Sequence, residues 1–394
     1  MKRLLKISVT FLFLLMGLTV STLLLKKYNT YFKFGNFFKD DDCGYDAYFL
    51  GSSHVLNGIF PMELWEKYGI RSYNMGWNTT PTATSYWQLR LASKLHKPKY
   101  AFVDIFFMDQ NIKCNEYAHQ LFDYFPFDGV KNEALKDMFP SFKDRIEYYF
   151  PFIYCHNNWA YMNMKSFTEI EPTKGAELRI DVKNAQVFLI TPFDYDAQKE
   201  SIGLEYSRKI IDFCRSNDII PVFFCVPYPE QEKLAKWKNA LLEILAEENV
   251  AYLEFPENIV DFDTDMYDQN SHLNPSGARK VTDSIGRFIV DSLGFSSDCG
   301  SAESEKWNAD LDLYRKYYDS KIDEETKLEN VFMLLNDEHY SAEISMGREL
   351  LPVEKKLLEQ IPHCKFKPNS SVEGNCQIKI YRSVDGSLLC EKHF

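Results

Sequence analysis

Apolar residues fall along this chain in three rhythms. The first is a continuous run from Ile7 to Leu25 that holds no charged residue. The second is a set of strand-length runs at Asp46–Leu50, Arg71–Asn74, Tyr100–Phe107, Ile219–Val226 and Val250–Phe255, several of them apolar throughout. A strand covered on both faces of a sheet reads this way, whereas one with a wet face alternates. The third rhythm is helical and lies between those runs. Tyr86, Leu89, Leu91 and Leu95 mark Thr82–His96, Leu204, Ile210, Ile211 and Phe213 mark Ser201–Ser216, and Gln231–Glu247 follows the fourth run. A further helix carries Ala278, Val281, Ile285, Phe288 and Ile289 on one face, with Asn274 as its cap, Pro275 in its first turn and Gly294 to close it. Strands alternating with helices predict an α/β fold with a parallel sheet and right-handed crossovers.

Two stretches stand outside this alternation. Residues 110–197 form an insertion between the third and fourth strands, dense in Phe and Tyr from Phe122 to Tyr161. Such a segment reads either as a wall over a binding site, with His156, Trp159 and Lys174 as its candidate contacts, or as a helical cap on the sheet. Composition shifts near Phe295-Ser296-Ser297-Asp298, which sets the expected boundary of a 28–295 domain. Residues 300–394 predict a small α+β appendage of unknown role. Its expected helices are Trp307–Tyr318 and Leu328–Leu335, and its expected strands Ala342–Ser345, Cys376–Arg382 and Ser387–Lys392, the last two joined at Asp385-Gly386.

The run from Ile7 to Leu25 extends about 28 Å as a helix, close to the hydrocarbon thickness of a bilayer. Lys2, Arg3 and Lys6 precede it, so the positive-inside rule keeps the N-terminus cytoplasmic, and Lys26 and Lys27 dilute that bias without reversing it. The run ends Ser-Thr-Leu-Leu-Leu-Lys-Lys, a poor signal-peptidase site, and residues 1–27 are read as an uncleaved single-pass anchor in the cell membrane. The expected domain is therefore extracytoplasmic. A formal net charge of −12 argues against a nucleic-acid partner. The nine cysteines are scattered without a C-x-x-C pair, so neither a zinc ribbon nor a thioredoxin-type site is indicated.

The candidate chemistry sits at two strand ends. Gly51-Ser52-Ser53-His54 directly follows Ala47–Leu50, and a glycine there lets the chain turn sharply and expose Ser53 at the carboxyl edge of the sheet. Far downstream, Tyr267-Asp268-Gln269-Asn270-Ser271-His272-Leu273-Asn274 places a histidine and an acid beside a helix start. A serine hydroxyl becomes a nucleophile when a neighbouring base takes its proton and a third group fixes that base's tautomer. Ser53, His272 and Asp268 fill those roles in chain order. His54 is read as lining the pocket, because no H-E-x-x-H or comparable cluster supports a metal site with His272. Asp104 and Asp109 follow the third strand at the same sheet edge, where Asp104 is a candidate pocket residue and helix capping is the first reading of both. P-loop and dinucleotide signatures and the G-x-S-x-G elbow are absent, and no cofactor is expected.

Taken together, the Gly-Ser-Ser turn and the Asp/His segment resemble the SGNH/GDSL hydrolase superfamily over roughly residues 44–295. The Gly-Ser-Ser form, the anchor and the His-Leu-Asn ending are similar to its bacterial cell-envelope branch, which includes D-alanyl-lipoteichoic acid biosynthesis and polysaccharide O-acetyl transfer proteins. The resemblance implies a flavodoxin-like three-layer α/β/α fold. Within Asn74-Met75-Gly76-Trp77-Asn78 it implies that the Gly76 N–H joins the Ser53 N–H as an oxyanion donor, with Asn78 adding a side-chain amide. It further implies an esterase or O-acyltransferase acting on acyl esters of envelope glycans, with a polytopic acyl-exporting membrane protein as partner. The chain departs from the family at two points. Asp268 lies four residues before His272 where the family has three, so either a bulge brings Asp268 round or Asp265 replaces it. No Gly-x-Asn-Asp segment supplies a third donor. These departures keep open a non-catalytic envelope scaffold that binds glycan.

Overall fold

A computed structural model of the protein describes residues 2–29, 34, 37, 38, 44–160, 172–185, 201–229, 235–368 and 376–394. Helix α1 (Lys2–Asn29) comes first, and it is long and apolar enough to be a membrane span or a signal sequence. The sheet then builds in chain order. β1 (Ala47–Leu50) leads into α2 (Ser53–Gly58) and α3 (Pro61–Tyr68); β2 (Ser72–Asn74) leads into α4 (Thr82–Ser93). After β3 (Tyr100–Asp104) come the short insertion helices α5 (Ala118–Phe122), α6 (Gly129–Met138), α7 (Phe142–Tyr149) and α8 (Phe152–Cys155), the last running into a tight turn at His156–Ala160. The alternation then resumes with α9 (Ile202–Ser216), β4 (Ile220–Phe224), α10 (Ala235–Glu247), β5 (Ala251–Leu253) and α11 (Pro275–Arg287).

All five strands are parallel and lie in the order β2-β1-β3-β4-β5. This is a doubly wound order, in which the chain reverses direction across the sheet between β1 and β3 and opens a crevice at their carboxyl ends. Period-two alternation along the strands serves both faces. Tyr48, Leu50, Ala101, Val103 and Phe223 pack with the apolar sides of α4, α9 and α10. Ala47, Phe49, Phe102, Val222 and Phe224 pack instead with Val55, Leu64, Val281 and Ile285 from α2, α3 and α11. The result is three layers, and it accounts for strands with no polar face. The strands are shorter than the apolar runs that announced them. Beyond Asp104 the Ile105 amide still reaches Phe224 O, but Met108 N–H then returns to Ile105 O and the chain turns away.

The appendage has its own core. α12 (Ser301–Glu324) and α13 (Leu328–Leu334) precede β6 (Tyr340–Met346), α14 (Pro352–Gln360), β7 (Cys364–Pro368), β8 (Cys376–Arg382) and β9 (Leu388–His393), with sheet order β7-β6-β8-β9. The β6–β7 pair is parallel and needs α14 as its crossover, while β8 and β9 run antiparallel on the other side. Neither α14 nor β7 was expected from the pattern. β7 is a five-residue edge strand, largely exposed, in which Lys365 and Lys367 alternate with Cys364, Phe366 and Pro368. α12 is twice the expected length because it buries only a thin stripe, Trp307, Tyr314, Tyr318 and Ile322.

A network of charges fastens this appendage to the layer of α3 and α11. Arg279 binds Glu63 at 2.9 Å and Asp337 at 3.0 Å, Arg315 joins Glu66 and Asp337, and His339 bridges Asp337 at 2.6 Å and Glu66 at 2.8 Å. Its hydrogen bonds to Asp337 and Glu66 push the His339 imidazolium up to about 9. An unfolded histidine titrates near about 6.5, so the stability His339 adds is complete below that pH and is lost as pH rises through the folded value. The denaturation midpoint is expected to fall from pH 6.5 toward 9, and His339→Gln to flatten that part of the curve. A wild-type curve unchanged by the substitution would remove His339 from the account.

Candidate active site

The turn after β1 is built for a glycine. Gly51 has φ +151°, and a β-carbon there would lie 2.7 Å from Asp104 Cβ and 2.8 Å from Val55 Cγ2. Gly51→Ala is expected to cost about 2–4 kcal/mol, measured as a fall in Tm; a neutral result would mean that the turn can relax. Ser52 then caps α2, its hydroxyl accepting the His54 N–H at 3.3 Å. Ser53 opens the helix, so its own N–H has no intrahelical acceptor, and its side chain stands at the mouth of the crevice.

His272 is delivered by the segment before α11. Asn274 anchors that segment: its Oδ1 accepts the Ser276 and Gly277 amides, and its Nδ2 donates to Thr264 O at 2.8 Å and Met266 O at 3.3 Å. Met266 and Leu273 pair across the base of the loop, and Tyr267 N–H donates to His272 O at 2.8 Å. Inside the loop, Asp268 Oδ1 accepts the amides of Asn270, Ser271 and His272 at 3.0, 2.8 and 3.1 Å. Wrapping the backbone round one carboxylate oxygen takes up the extra residue of the four-residue spacing.

The other oxygen, Oδ2, lies 2.5 Å from His272 Nδ1, and His272 Nε2 lies 2.7 Å from Ser53 Oγ. With Nδ1 donating to the carboxylate, Nε2 presents its lone pair to the serine hydroxyl. Burial raises the Asp268 carboxyl, but bonds from His272 and from the Ser271 and His272 amides outweigh it and hold the group well below the usual carboxylate range. Of the two acids left open by the spacing, Asp268 is the one at His272. Asp265 is engaged elsewhere, with Lys280 Nζ at 2.6 Å and Ser276 Oγ at 2.8 Å.

The surrounding residues fall less uniformly into the expected places. Gly76 was expected to offer a free amide, but its N–H donates to Asn74 Oδ1 at 3.0 Å. Asn74 is itself fixed by bonds from its Nδ2 to Val55 O at 2.6 Å and Ile59 O at 2.9 Å. The glycine is needed for contact: a β-carbon at Gly76 would lie 2.6 Å from Leu56 N and 2.8 Å from Ser52 O. Asn78 is half-buried, and its amide has no hydrogen-bond partner among the described residues.

His54 does lie beside His272, their ring centroids 5.7 Å apart, and it stacks on Phe106 at 3.4 Å with Tyr228 at 5.4 Å. Burial first, and then His272, keeps its pKa well below the ordinary histidine value, so the ring is neutral. Phe106 and Tyr228 went unnoticed in the sequence, where Phe106 reads as part of an apolar run and Tyr228 stands between two prolines just after one.

Asp104 does not cap a helix. It ends β3 beneath Gly51 and accepts Val226 N–H at 3.3 Å, with Ser52 Oγ at 3.5 Å. Burial pushes its carboxyl up to about 7. Asp109 accepts from neighbouring Gln110 at 3.4 Å.

The insertion divides: its 150–160 stretch packs on α1, while Gln120 bonds Trp77 and residues 181 and 183 lie by the Asp268 loop. His156 and Trp159 are exposed, and their turn packs on α1. Lys174 is buried against α12, with Asp310 at 2.6 Å and Trp307 beneath its ammonium. Tyr161 lies outside the described residues. An open depression of about 510 Å³ does adjoin the Asp268 loop, lined by Asp181, Lys183, Tyr267, Gln269 and Asn270. No group of three potential metal ligands occurs among the described residues.

No protein-family model matches the chain, and none of the curated proteins matches it. Several solved structures are similar to it, among them these three. One is a protein described as lipolytic and of the G-D-S-L family from Desulfitobacterium hafniense, 11% identical over 61% of this chain and 97% of that one, with TM-score 0.32. The second is described as an acylhydrolase from Bacteroides fragilis, 7% identical over 66% and 95%, with TM-score 0.34. The third is a GDSL-like lipase from Bacteroides thetaiotaomicron, 8% identical over 63% and 88%, with TM-score 0.31. At these scores the likenesses carry no argument about chemistry, which rests on the geometry of the chain itself.

Proposed function

We propose that this protein is a serine hydrolase of the SGNH/GDSL kind that cleaves an acyl ester through an acyl-enzyme on Ser53. The observation that carries this reading is the unbroken relay from Ser53 Oγ through His272 to a carboxylate whose second oxygen is locked by three amides. In the first step His272 Nε2 takes the Ser53 proton while Oγ bonds to the ester carbonyl carbon. Asp268 stabilises the imidazolium that forms. The tetrahedral oxyanion draws on the Ser53 N–H and on the Asn78 amide; the Gly76 N–H joins them only if Asn74 releases it. Collapse breaks the bond to the alkoxide, which leaves with the proton from His272. Water or a second hydroxyl then attacks the acyl-enzyme with the same histidine as base, giving hydrolysis or acyl transfer.

The finer reading is an O-acyl esterase or transferase of cell-envelope glycans, held by α1 on the outer face of the membrane and supplied there by a polytopic partner. The apolar helix with Lys2, Arg3 and Lys6 on its first flank supports this, since tethering raises the effective concentration at a lipid-linked substrate. The scaffold alternative keeps one specific observation, the Gly76 amide already bonded to Asn74.

The test is a fluorophosphonate reacted with the full chain in detergent and followed by intact mass and peptide mapping. One adduct, on the peptide holding Ser53, is expected. A folded protein that takes up no probe would favour the scaffold. Short acyl esters incubated with and without an oligosaccharide acceptor then separate hydrolysis from transfer.

A further inference from the structure

From Phe150 to Ala160 the chain reads Phe-Pro-Phe-Ile-Tyr-Cys-His-Asn-Asn-Trp-Ala, with no acidic or basic side chain except the one histidine. Soluble surfaces rarely expose such a stretch, yet Phe150 is 59% exposed, Ile153 42% and Trp159 72%. Phe142, on the preceding helix, is 61% exposed. Large apolar side chains exposed this densely in one short segment mark a surface that something else covers.

The same segment meets α1 at its far end. Cys155 Sγ lies 3.9 Å from Thr22 O, and Asn158 Nδ2 donates to Leu25 O at 3.2 Å. None of the apolar window of α1 is buried in the rest of the protein; only Thr22 and Leu25 lose part of their exposure near this end. Leu25 closes the uncharged run, so in a spanning helix it sits at the boundary between acyl chains and headgroups, and Thr22 about 4.5 Å deeper. The contacts therefore put α8 and its turn at that boundary. They are also bolted to the domain: Tyr154 stacks on His119 at 3.7 Å, and His119 stacks on Tyr148 at 4.0 Å and bonds Asp123 at 3.2 Å.

We infer that residues 142–160 form an interfacial membrane-docking surface, with Phe150, Ile153 and Trp159 inserted among the lipids beside the anchor. Tryptophan and other amphipathic rings favour this depth, and an apolar chain combined with a second contact gives a firmer hold than either alone. The docking fixes the tilt of the domain, so that the crevice at the sheet edge holds one set orientation to the bilayer instead of swinging on a tether. The inference rests on α1 spanning the membrane.

The test uses the full chain in phosphatidylcholine–phosphatidylglycerol vesicles containing a diazirine-bearing phosphatidylcholine, irradiated, digested and mapped by mass spectrometry. Lipid adducts are expected on peptides from both 7–25 and 142–160. The double variant Phe150→Ser, Trp159→Ser should reduce adducts in 142–160 by about fivefold while leaving those on the helix unchanged. Adducts on the helix alone would overturn the docking and leave the anchor standing, and would point to a second copy or a protein partner over the patch. Adducts on neither, with release of the protein by alkaline carbonate, would overturn the anchor and the docking together.

Discussion

Ser53→Ala is expected to lower turnover of an acyl ester by about a million-fold and to abolish fluorophosphonate labelling, with little change in Tm. The size follows from the relay: without Oγ, His272 and Asp268 have no nucleophile to activate, and only donors and binding remain. The small effect on stability follows from position. Ser53 opens a six-residue helix at the crevice, and the hydrogen bond its side chain makes is the one to His272. His272→Ala should fall to a similar level, and the double variant no lower, because the two groups act as one unit. Ser52→Ala is the matched control. It removes a cap on the His54 amide and should cost about 1 kcal/mol of stability while Ser53 still takes up the probe. Residual activity within tenfold of wild type in Ser53→Ala would assign the nucleophile elsewhere, and Ser52, next to Asp104, would be the first place to look.

Much of this arrangement could be read from residue order, for a physical reason. Strands buried on both faces leave unbroken apolar runs, so β1, β3 and β4 stood out, and a glycine after such a run marks a sharp turn that presents Ser53 at the sheet edge. What depends on one side chain capturing another could not be read. Residue order named Asp268 but its four-residue spacing kept Asp265 open, and the loop wrapped round Asp268 Oδ1 accounts for that spacing. Gly76 was legible as a glycine in the right block, but Asn74, two residues earlier, had already taken its amide. The aromatic density of the insertion was plain, whereas the seating of its 150–160 stretch on α1 depended on contacts made by Cys155 and Asn158. Burial alone raised Asp104, and burial is a property of the whole fold.

Asp268→Asn gives the second large expected loss, about ten-thousand-fold in turnover. An asparagine keeps one oxygen for the amides of Asn270, Ser271 and His272, so the loop should hold its shape. Its amide nitrogen then faces His272 Nδ1 and donates, which forces the imidazole proton onto Nε2. A protonated Nε2 cannot accept from Ser53, so fluorophosphonate labelling is expected to slow in parallel with turnover, while loss of the charge lowers Tm without unfolding the loop. The pH behaviour has the same origin. The carboxyl is depressed in the folded protein, so the stability it adds is present above the unfolded value, about 3.9, and is lost as pH falls below it. Protonation of Asp268 therefore does not set the acid limb of activity near neutral pH. Asp265→Asn is the opposing case: it leaves Lys280 and Ser276 without their acid and should cost stability, with turnover per folded molecule little changed. If Asp265→Asn removed turnover and Asp268→Asn spared it, the close contact at His272 would not be the one that orients the base, and the scaffold reading would gain ground.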